Sequence, residues 1–414
     1  MKSLIDARLR EFCARTTRPL RIVYADGSEL RHLPADAPQF TLHFRTAAAQ
    51  RRTVLHGHIG LLDSFFDGEV DIDGDLSALF ALGLEARFSQ PAPLVRLRNR
   101  WHEFTRGNGS REQAKRNARF HYGLGADFYG LWLDRALMMY TCAYWPEGTA
   151  TLEQAQTRKV EHVCRKLLLA PGESVIDIGC GFGGFMFHAA SHHGARVTGL
   201  NTTTEQVDWL RGEIARRELS SQLQVREADF RDVDRQYDKV VSIGVLEHAG
   251  RDQIDPVVKA HADFLKPGGL GMLHFIGHVG QYPTEFFIRR HVFPGGWIPS
   301  LTETLDAMDR YGLEILDIEN LRRHYVLTLQ SWAERFEAHW EEIHRLNPAR
   351  FDERFRRIWR TYLIGCAEMF RDGNGITGLF QVTFGKGRRT PTTYPMSRAF
   401  LHREPVPAGC ARGE

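Results

Sequence analysis

The sequence lacks any cysteine arrangement that indicates a disulfide framework or a zinc site. It holds six cysteines in 414 residues, and no two of them form a C-x-x-C pair. The common metal sites and disulfide-rich domains use such pairs or closely spaced sets. We therefore expect free thiols, a reducing compartment and no metal site.

An excess of charge of one sign is also missing, as is any long apolar run or internal repeat. The chain carries 54 basic and 51 acidic side chains, a balance that argues against nucleic acid as a partner. No stretch is apolar enough to form a signal peptide or to span a bilayer. These features predict a cytoplasmic protein, and the length predicts two or three domains.

The most informative segment that is present is a glycine-rich turn after an apolar strand. Residues 175–184 are V-I-D-I-G-C-G-F-G-G and lead into a helical pattern. Only glycine lets the backbone turn sharply and approach a ligand within contact distance. A strand, such a turn and a helix together predict the nucleotide-binding corner of a doubly wound α/β sheet.

A carboxylate is absent where a dinucleotide-binding fold needs one. The next predicted strand ends at Asn201, at the place where Asp or Glu would bind the ribose of a dinucleotide. Asp177 instead precedes the glycines with the spacing D-x-G-x-G-x-G. This spacing resembles the first motif of S-adenosylmethionine-dependent methyltransferases, and a purely structural glycine turn is the alternative.

Composition and periodicity divide the chain into four parts. Residues 1–90 carry short strand patterns between Asp-Gly and Pro turns and predict a small α+β domain. Residues 91–116 form a basic linker with helical patterns beside it. Residues 117–385 alternate helix and strand, which predicts an α/β fold with a mostly parallel sheet. Residues 386–414 predict a disordered tail, and the aromatic, proline-containing segment 280–300 is expected to help build the acceptor site.

Five further motifs are spread over the larger domain. They are H-Y-G-L-G-A-D-F-Y at 121–129, Y-T-C-A-Y-W at 140–145, G-V-L-E-H at 244–248, L-H-F-I-G at 273–277 and H-V-F-P-G-G at 291–296. Together they resemble the cyclopropane-fatty-acyl-phospholipid synthases and the related mycolic acid cyclopropane synthases. The resemblance implies a Rossmann-like class I methyltransferase domain that uses S-adenosylmethionine and bicarbonate.

The resemblance also implies two sets of site residues. The methyl-donor set consists of Tyr122, Thr141, Asp177, Gly179, Gly181, Gly183, Asn201, Gln206, Asp229 and Phe230. The catalytic set, expected to bind bicarbonate, consists of Cys142, Glu247, His274, the backbone of Ile276, and Tyr325. Tyr and His donate hydrogen bonds to an anion, and a carboxylate accepts the proton of bicarbonate. Cys366 matches a cysteine assigned to the family's active site, and a packed helix cysteine is the alternative interpretation.

The implied reaction is methylene transfer from S-adenosylmethionine to a cis double bond of a phospholipid acyl chain. Methylation leaves a carbocation, which bicarbonate deprotonates as the ring closes. Aromatic rings stabilise such a cation, and the candidates are Tyr140, Tyr144, Trp145, Phe275 and Phe293, with ordinary core packing as the alternative for each ring. Three alternatives remain open: an acyl C-methyltransferase without ring closure, a small-molecule N-methyltransferase, and a lipid-binding protein with a vestigial donor pocket.

The basic linker allows two interpretations. Eight basic residues lie between Arg96 and Arg119, and they form either a solvated helix face or a contact with anionic lipid headgroups. A phospholipid substrate favours the second interpretation. We therefore expect peripheral association with the inner face of the membrane, and the resemblance implies a homodimer.

Overall fold

A four-stranded sheet and three helices form the small domain of the computed structural model, which describes residues 6, 7, 10, 11, 13, 14, 16–33, 38–85, 93–373 and 375–402. The strands are β1 (Leu20–Val23), β2 (Glu29–His32), β3 (Phe40–Phe44) and β4 (Val70–Gly74), in the order β2-β1-β3-β4. The helices are α1 (Ala47–His56), α2 (His58–Phe66) and α3 (Leu76–Glu85). The predicted α+β architecture is confirmed.

Two helices occupy the basic linker and the start of the larger domain. Helix α4 spans Pro93–Arg106, and α5 spans Arg111–Tyr122. The Ser110 side chain accepts a hydrogen bond from the Gln113 backbone N–H at 3.2 Å. This cap satisfies one of the free N–H groups at the start of α5, which fixes where the helix begins.

A seven-stranded sheet forms the larger domain. Its strands are β5 (Ser174–Ile178), β6 (Arg196–Asn201), β7 (Leu223–Glu227), β8 (Tyr237–Ile243), β9 (Leu265–His278), β10 (Leu313–Asn320) and β11 (Thr377–Lys386). The order is β10-β11-β9-β8-β5-β6-β7. Strands β5 to β9 are parallel, and β11 runs antiparallel to both β9 and β10. The predicted mostly parallel α/β sheet is confirmed.

Eleven further α-helices are found in the described part of the larger domain. They are α6 (Ala126–Gly130), α7 (Leu152–Lys166), α8 (Gly184–His193), α9 (Thr204–Arg216), α10 (Leu246–Ala249), α11 (Ile254–Phe264), α12 (Phe286–His291), α13 (Leu301–Arg310), α14 (Arg322–Ala338), α15 (Trp340–Leu346) and α16 (Glu353–Arg371). Among the described helices, none has both the length and the apolar character needed to cross a bilayer.

The glycine turn lies where the chain changes direction across the sheet. From β5 the chain builds β6 and β7 on one side, and then β8 and β9 on the other, so a crevice opens at the carboxyl ends of β5 and β8. Gly179 and Gly183 have φ angles of +74° and +77°. A Cβ atom on Gly183 would lie 2.4 Å from Leu210 Cδ2. Both conformation and space therefore require glycine there.

Helix α16 joins the two domains. It packs against α14 of the larger domain and against α2 and α3 of the small domain. Arg357 on α16 forms an ion pair with Asp71 at 3.1 Å, and Arg290 on α12 forms one with Asp63 at 2.8 Å. The helices of the small domain thereby become a wall of the larger domain's cavities.

The prediction of disorder from residue 386 onward is wrong for residues 387–402. Residues Arg398–His402 form a 3-10 helix. Leu401 is buried, and its carbonyl accepts a hydrogen bond from Arg165 on α7 at 3.0 Å. A few aperiodic apolar side chains are enough to hold this segment against α7. Residues 403–414 of the predicted tail lie outside the described residues.

Candidate active site

A cavity of about 200 Å³ lies at the carboxyl ends of β5, β6 and β8. Nine of the ten residues predicted for the methyl donor line it: Tyr122, Thr141, Asp177, Gly179, Gly181, Asn201, Gln206, Asp229 and Phe230. Gly183 does not line the cavity, because its neighbours are Leu210 and Phe187. The role of Gly183 is to shape the turn that carries Gly179 and Gly181.

The acid of the glycine motif is buried beside a buried lysine. Burial raises the pKa of Asp177 to about 7, and the charge of Lys159 opposes this shift. Burial also lowers the pKa of Lys159 to about 7, and its ammonium donates to Thr141 Oγ1 at 2.8 Å. The sequence analysis missed Lys159. Its place one turn from both Ala155 and Val163, on the buried face of α7, could have revealed it.

Asn201 links the glycine turn to α9. Its amide nitrogen donates to the Gly181 carbonyl at 3.1 Å and to Gln206 Oε1 at 3.0 Å. Its amide oxygen accepts from the Thr203 N–H at 2.9 Å. These bonds give Asn201 a clear role in fixing the cavity wall, and a direct contact with the donor stays a prediction.

Helix α5 covers one side of this donor cavity. Ion pairs hold its basic residues on the larger domain: Arg111 with Asp232 at 2.7 Å, Lys115 with Glu227 at 2.5 Å, and Arg119 with Glu205 at 2.5 Å. This half of the basic stretch therefore serves contacts within the protein. Because Arg111, Lys115 and Arg119 are still more than half exposed, the interpretation as a solvated helix face holds for this half.

A second cavity of about 450 Å³ adjoins the first. All six residues of the predicted catalytic set line it: Cys142, Glu247, His274, Ile276, Tyr325 and Cys366. The two cavities have five residues in common: Tyr122, Tyr140, Thr141, Gly244 and His248. A donor bound in the first cavity would therefore meet an acceptor in the second at this shared wall.

Five separate segments bring these six residues together, and the fifth is α16, which carries Cys366. His274 and Ile276 are two residues apart on β9, so both side chains face the same side of the sheet. Glu247 lies on α10, directly after the neighbouring strand β8, and Tyr325 lies in the first turn of α14. The Ile276 backbone N–H donates to Glu247 Oε1 at 3.3 Å. Cys142 precedes α7 and is fully buried.

Two polar atoms of this set are buried without a hydrogen-bond partner, Glu247 Oε2 and His274 Nε2. Burial raises the pKa of Glu247 to about 7, and burial lowers the pKa of His274 well below its ordinary value. The Gln381 amide nitrogen lies 3.1 Å from His274 Nδ1. An amide N–H donated to Nδ1 leaves the proton of the neutral ring on Nε2. The site thus combines an unpartnered hydrogen-bond donor with an unpartnered hydrogen-bond acceptor, a pair that fits bicarbonate.

The two cysteines of the set are protonated thiols. Burial raises the pKa of Cys366 to about 12 and also raises the pKa of Cys142. The Cys142 thiol donates to the Ala143 carbonyl at 3.2 Å. Because a thiolate is the reactive form, neither cysteine is suited to act as a nucleophile. Cys366 therefore belongs to the cavity wall.

Only two of the five candidate rings line the catalytic cavity, Tyr140 and Phe293. For the other three the alternative of ordinary packing holds. Tyr144 stacks on His162 with ring centres 4.4 Å apart, and the Trp145 indole donates to Thr328 at 3.0 Å. Phe275 is fully buried and packs against Phe380.

The sequence analysis also missed two residues of the cavity wall. Tyr362 accepts a hydrogen bond from the Tyr140 hydroxyl at 2.9 Å, and His248 Nε2 lies 3.0 Å from the Tyr122 hydroxyl. Tyr362 lies one helical turn before Cys366, so the spacing on α16 placed both on one face. That spacing was the available signal.

Comparisons with known proteins agree with this geometry. Residues 109–382 match the family model of mycolic acid cyclopropane synthetase. A probable fatty acid methyltransferase of Pseudomonas putida is 33% identical over 366 residues, which cover 86% of this chain and 89% of that protein. The cyclopropane-fatty-acyl-phospholipid synthase of Escherichia coli strain K12 is 33% identical over 345 residues, covering 81% and 85%.

A solved structure that contains S-adenosylhomocysteine is also similar to this chain. The mycolic acid cyclopropane synthase CmaA1, complexed with SAH and CTAB, superposes with a TM-score of 0.61 at 30% identity. The match covers 66% of this chain and 98% of that one. Since the family model spans more than half of the chain and both relatives align over most of it, the chain belongs to the mycolic acid cyclopropane synthetase family and is an S-adenosylmethionine-dependent methyltransferase.

Proposed function

We propose that this enzyme transfers a methylene group from S-adenosylmethionine to a cis double bond in a phospholipid acyl chain. The observation that carries the proposal is the composition of the catalytic cavity. Its wall is mostly apolar, and Glu247 and His274 bring one unpartnered polar atom each to it, next to the donor cavity. The Escherichia coli relative that is named for this reaction aligns over most of the chain.

An apolar passage toward the small domain supports a long acyl chain as the acceptor. A further cavity of about 120 Å³ lies between α2, α3, α12 and α16. It shares Ile288, Cys366 and Met369 with the catalytic cavity, and Leu61 and Leu79 of the small domain form part of its wall. In this proposal the small domain holds the part of the acyl chain that extends beyond the reacting double bond.

The protein's first task is to position a weak nucleophile and to exclude water. Bound S-adenosylmethionine supplies an electrophilic methyl group, and an isolated double bond reacts with it only when held in line. The rings of Tyr140 and Phe293 then face the positive charge that develops on the acyl chain. A desolvated ring stabilises such a charge by about 0.5–2 kcal/mol. The bond from Tyr140 to Tyr362 fixes the orientation of that ring.

The second task is to hold a base close to the positive charge. Bicarbonate supplies this base in the proposal. His274 Nε2 and the Tyr325 hydroxyl would donate hydrogen bonds to the anion, and Glu247 Oε2 would accept its hydroxyl proton. These three side chains would thereby hold the anion in place beside the acyl chain.

A second candidate is acyl methylation without ring closure. The Pseudomonas putida relative is named a probable fatty acid methyltransferase, and the same cation gives a methylene-branched product when it loses a different proton. The unpartnered atoms of Glu247 and His274 disfavour the N-methyltransferase alternative. Methyl transfer to an amine needs no bound bicarbonate, so these atoms would have no use in that reaction.

Helix α4 is the surface through which the enzyme docks on the membrane in this proposal. Leu94, Leu97, Trp101 and Phe104 follow one face of the helix at spacings of three and four residues, and each is more than half exposed. Arginines beside this apolar ridge are exposed as well: Arg96, Arg98 and Arg100. An amphipathic helix with aromatic and basic residues suits an anionic leaflet.

The opposite face of α4 reaches the catalytic cavity. Asn99 lines that cavity, and its amide nitrogen donates to the Thr284 carbonyl at 3.0 Å. Arg289 on α12 donates to the Asn99 side chain at 2.9 Å. A membrane-bound α4 would therefore place the cavity next to the lipid, and a homodimer would strengthen the attachment through avidity.

Product analysis tests the proposed reaction. Vesicles of an anionic phospholipid with one cis double bond, incubated with enzyme and labelled S-adenosylmethionine, should yield labelled cyclopropane acyl chains by mass spectrometry and NMR. A methyl- or methylene-branched chain as the sole product would support the second candidate. Absence of any labelled lipid from an enzyme that binds the donor would overturn both.

The substitution Gly83→Leu tests the passage for the acyl chain. Gly83 lies on α3 in the wall of the apolar cavity, and no atom lies within 4 Å of the Cβ position, so the leucine would fill space meant for lipid. With the acyl chain bound, the added leucine would overfill this cavity, which costs about 1–3 kcal/mol. We therefore expect kcat/KM for a long-chain phospholipid to fall about tenfold or more. Affinity for S-adenosylhomocysteine, measured by calorimetry, should stay unchanged.

Gly212→Leu is the matched control for this experiment. Gly212 lies on the exposed side of α9 with open space around it, so its leucine should leave lipid turnover unchanged. Equal turnover by Gly83→Leu and the wild type would contradict the assignment of this cavity to the acyl chain.

The double substitution Trp101→Ser and Phe104→Ser tests membrane docking. Burial of a large apolar side chain is worth about 1.5–3 kcal/mol, so binding to anionic vesicles in a sedimentation assay should weaken at least tenfold. Turnover of the same lipid dispersed in detergent should persist. Leu55→Ser removes a similarly exposed leucine from α1 and should leave binding intact. If the double variant binds vesicles as well as the wild type does, α4 is not the docking surface.

The substitution Glu247→Gln tests whether this buried acid serves function at the expense of stability. The pKa of Glu247 rises from 4.5 in the unfolded chain to about 7 in the folded protein. Below pH 4.5 both states are protonated and the group has no effect. Above pH 7 the folded state holds a buried charge, which lowers the free energy of unfolding by roughly 3 kcal/mol.

We therefore expect Glu247→Gln to be more stable than the wild type at pH 8, with the gain shrinking toward pH 5, in urea denaturation. Its kcat should fall at least about 100-fold. Glu147→Gln, at an exposed position, should change neither quantity. A variant that loses stability equally at both pH values would show that Glu247 is a structural residue.

A further inference from the structure

We infer that α7 and α8 bind a zinc-type metal ion between them. The proposed ligands are Glu161 and Cys164 of α7 and His188 and His193 of α8. None of the four belongs to the walls described above for the donor and catalytic cavities. The site is therefore separate from the reaction centre.

The distances between these groups suit a tetrahedral ion. One ligand atom from each of Cys164, His188 and His193 lies within 4.8 Å of the others. Glu161 Oε2 lies 3.0 Å from His188 Nε2 and 2.9 Å from His193 Nε2. Ligand atoms around a zinc ion are separated by about 3.3–3.6 Å, as its bond lengths require. Small shifts of the side chains would thus admit the ion.

The donor set and its surroundings match zinc as well. One thiolate, two imidazoles and one carboxylate are ligands that zinc accepts. The thiolate and the carboxylate would together neutralise a divalent ion. Arg165 donates to the other carboxylate oxygen, Glu161 Oε1, at 3.0 Å, as groups behind metal ligands commonly do.

An ordinary hydrogen-bond cluster around Glu161 is the competing explanation. It accounts for the two imidazoles but not for Cys164, a fully buried thiol on the same side of α7 as Glu161 and next to both rings. A metal ion would give this thiol a function as a ligand.

Four protein ligands would close the coordination shell, so the site would be structural. It would fix α7 to α8, the helix that follows the glycine turn. Helix α7 also carries Lys159 and Gln156, which hold Thr141 at the shared cavity wall through its hydroxyl and its carbonyl. Metal binding would therefore stabilise the frame of the donor cavity from behind. The search for C-x-x-C pairs misses this site because Glu161 stands where such a pair would have its first cysteine.

Metal analysis of the full-length, tag-free protein tests the inference. After incubation with zinc and gel filtration, we expect about one zinc ion per chain and a lower melting temperature when a chelator removes it. Cys164→Ser and His193→Ala should each lose most of the zinc, whereas His43→Ala, in strand β3 of the small domain, should retain it. Binding of S-adenosylhomocysteine shows that each variant is folded.

Cobalt provides a second readout that does not depend on the variants folding. The cobalt-loaded wild-type protein should show thiolate-to-metal charge-transfer absorption and the visible bands of tetrahedral coordination. Folded wild-type protein that retains no zinc after gel filtration and shows no such absorption would overturn the inference. Zinc that is retained equally by the wild type and by folded Cys164→Ser and His193→Ala would overturn it as well.

Discussion

The active site depends on two buried polar atoms that the protein itself does not satisfy, Glu247 Oε2 and His274 Nε2. Leaving such a group unpartnered costs about 1–3 kcal/mol, and a fold selected for stability alone would avoid it. Both side chains are held by neighbours, Glu247 by the Ile276 N–H and His274 by Gln381. Their unpartnered atoms are thereby directed into one mostly apolar cavity, where a small bound anion would supply the missing hydrogen-bond partners.

The order of the strands makes this arrangement possible. Strands β8 and β9 are adjacent and parallel, with Ile243 paired to His274. The residues that follow β8 therefore meet the last third of β9, while the glycine turn after β5 lies on the other side of β8. Thr141 stands at the wall shared by the donor and catalytic cavities, held by Lys159. A single crevice of the sheet thus opens into two adjoining cavities, one for the donor and one that the proposed function assigns to an apolar acceptor.

Much of this organisation is encoded locally and could be predicted. The strand, turn and helix around Gly179 follow from short-range patterns, and so does the alternation that defines the parallel sheet. Motifs shared with a known family led to the residues that line both cavities. By contrast, the direction of Trp145 and Phe275 depends on packing partners far away in the chain, Thr328 and Phe380.

The basic stretch from Arg96 to Arg119 shows the same limit of prediction from sequence. Its arginines and lysine look alike in the sequence, yet three of those on α5 pair with acids of the larger domain, whereas those on α4 lie beside an exposed apolar ridge. Only the folded chain separates a helix that covers the donor cavity from one that presents an apolar ridge. The 3-10 helix at Arg398–His402 likewise depends on α7, which lies more than two hundred residues earlier.

The central claim is that the unpartnered atoms of Glu247 and His274 serve a bound bicarbonate. The most direct measurement is the rate of cyclopropane formation on unsaturated phospholipid vesicles in carbon dioxide-free buffer, as bicarbonate is added back. The account predicts a very low initial rate that rises and saturates with bicarbonate. A full rate of cyclopropane formation without bicarbonate would contradict it.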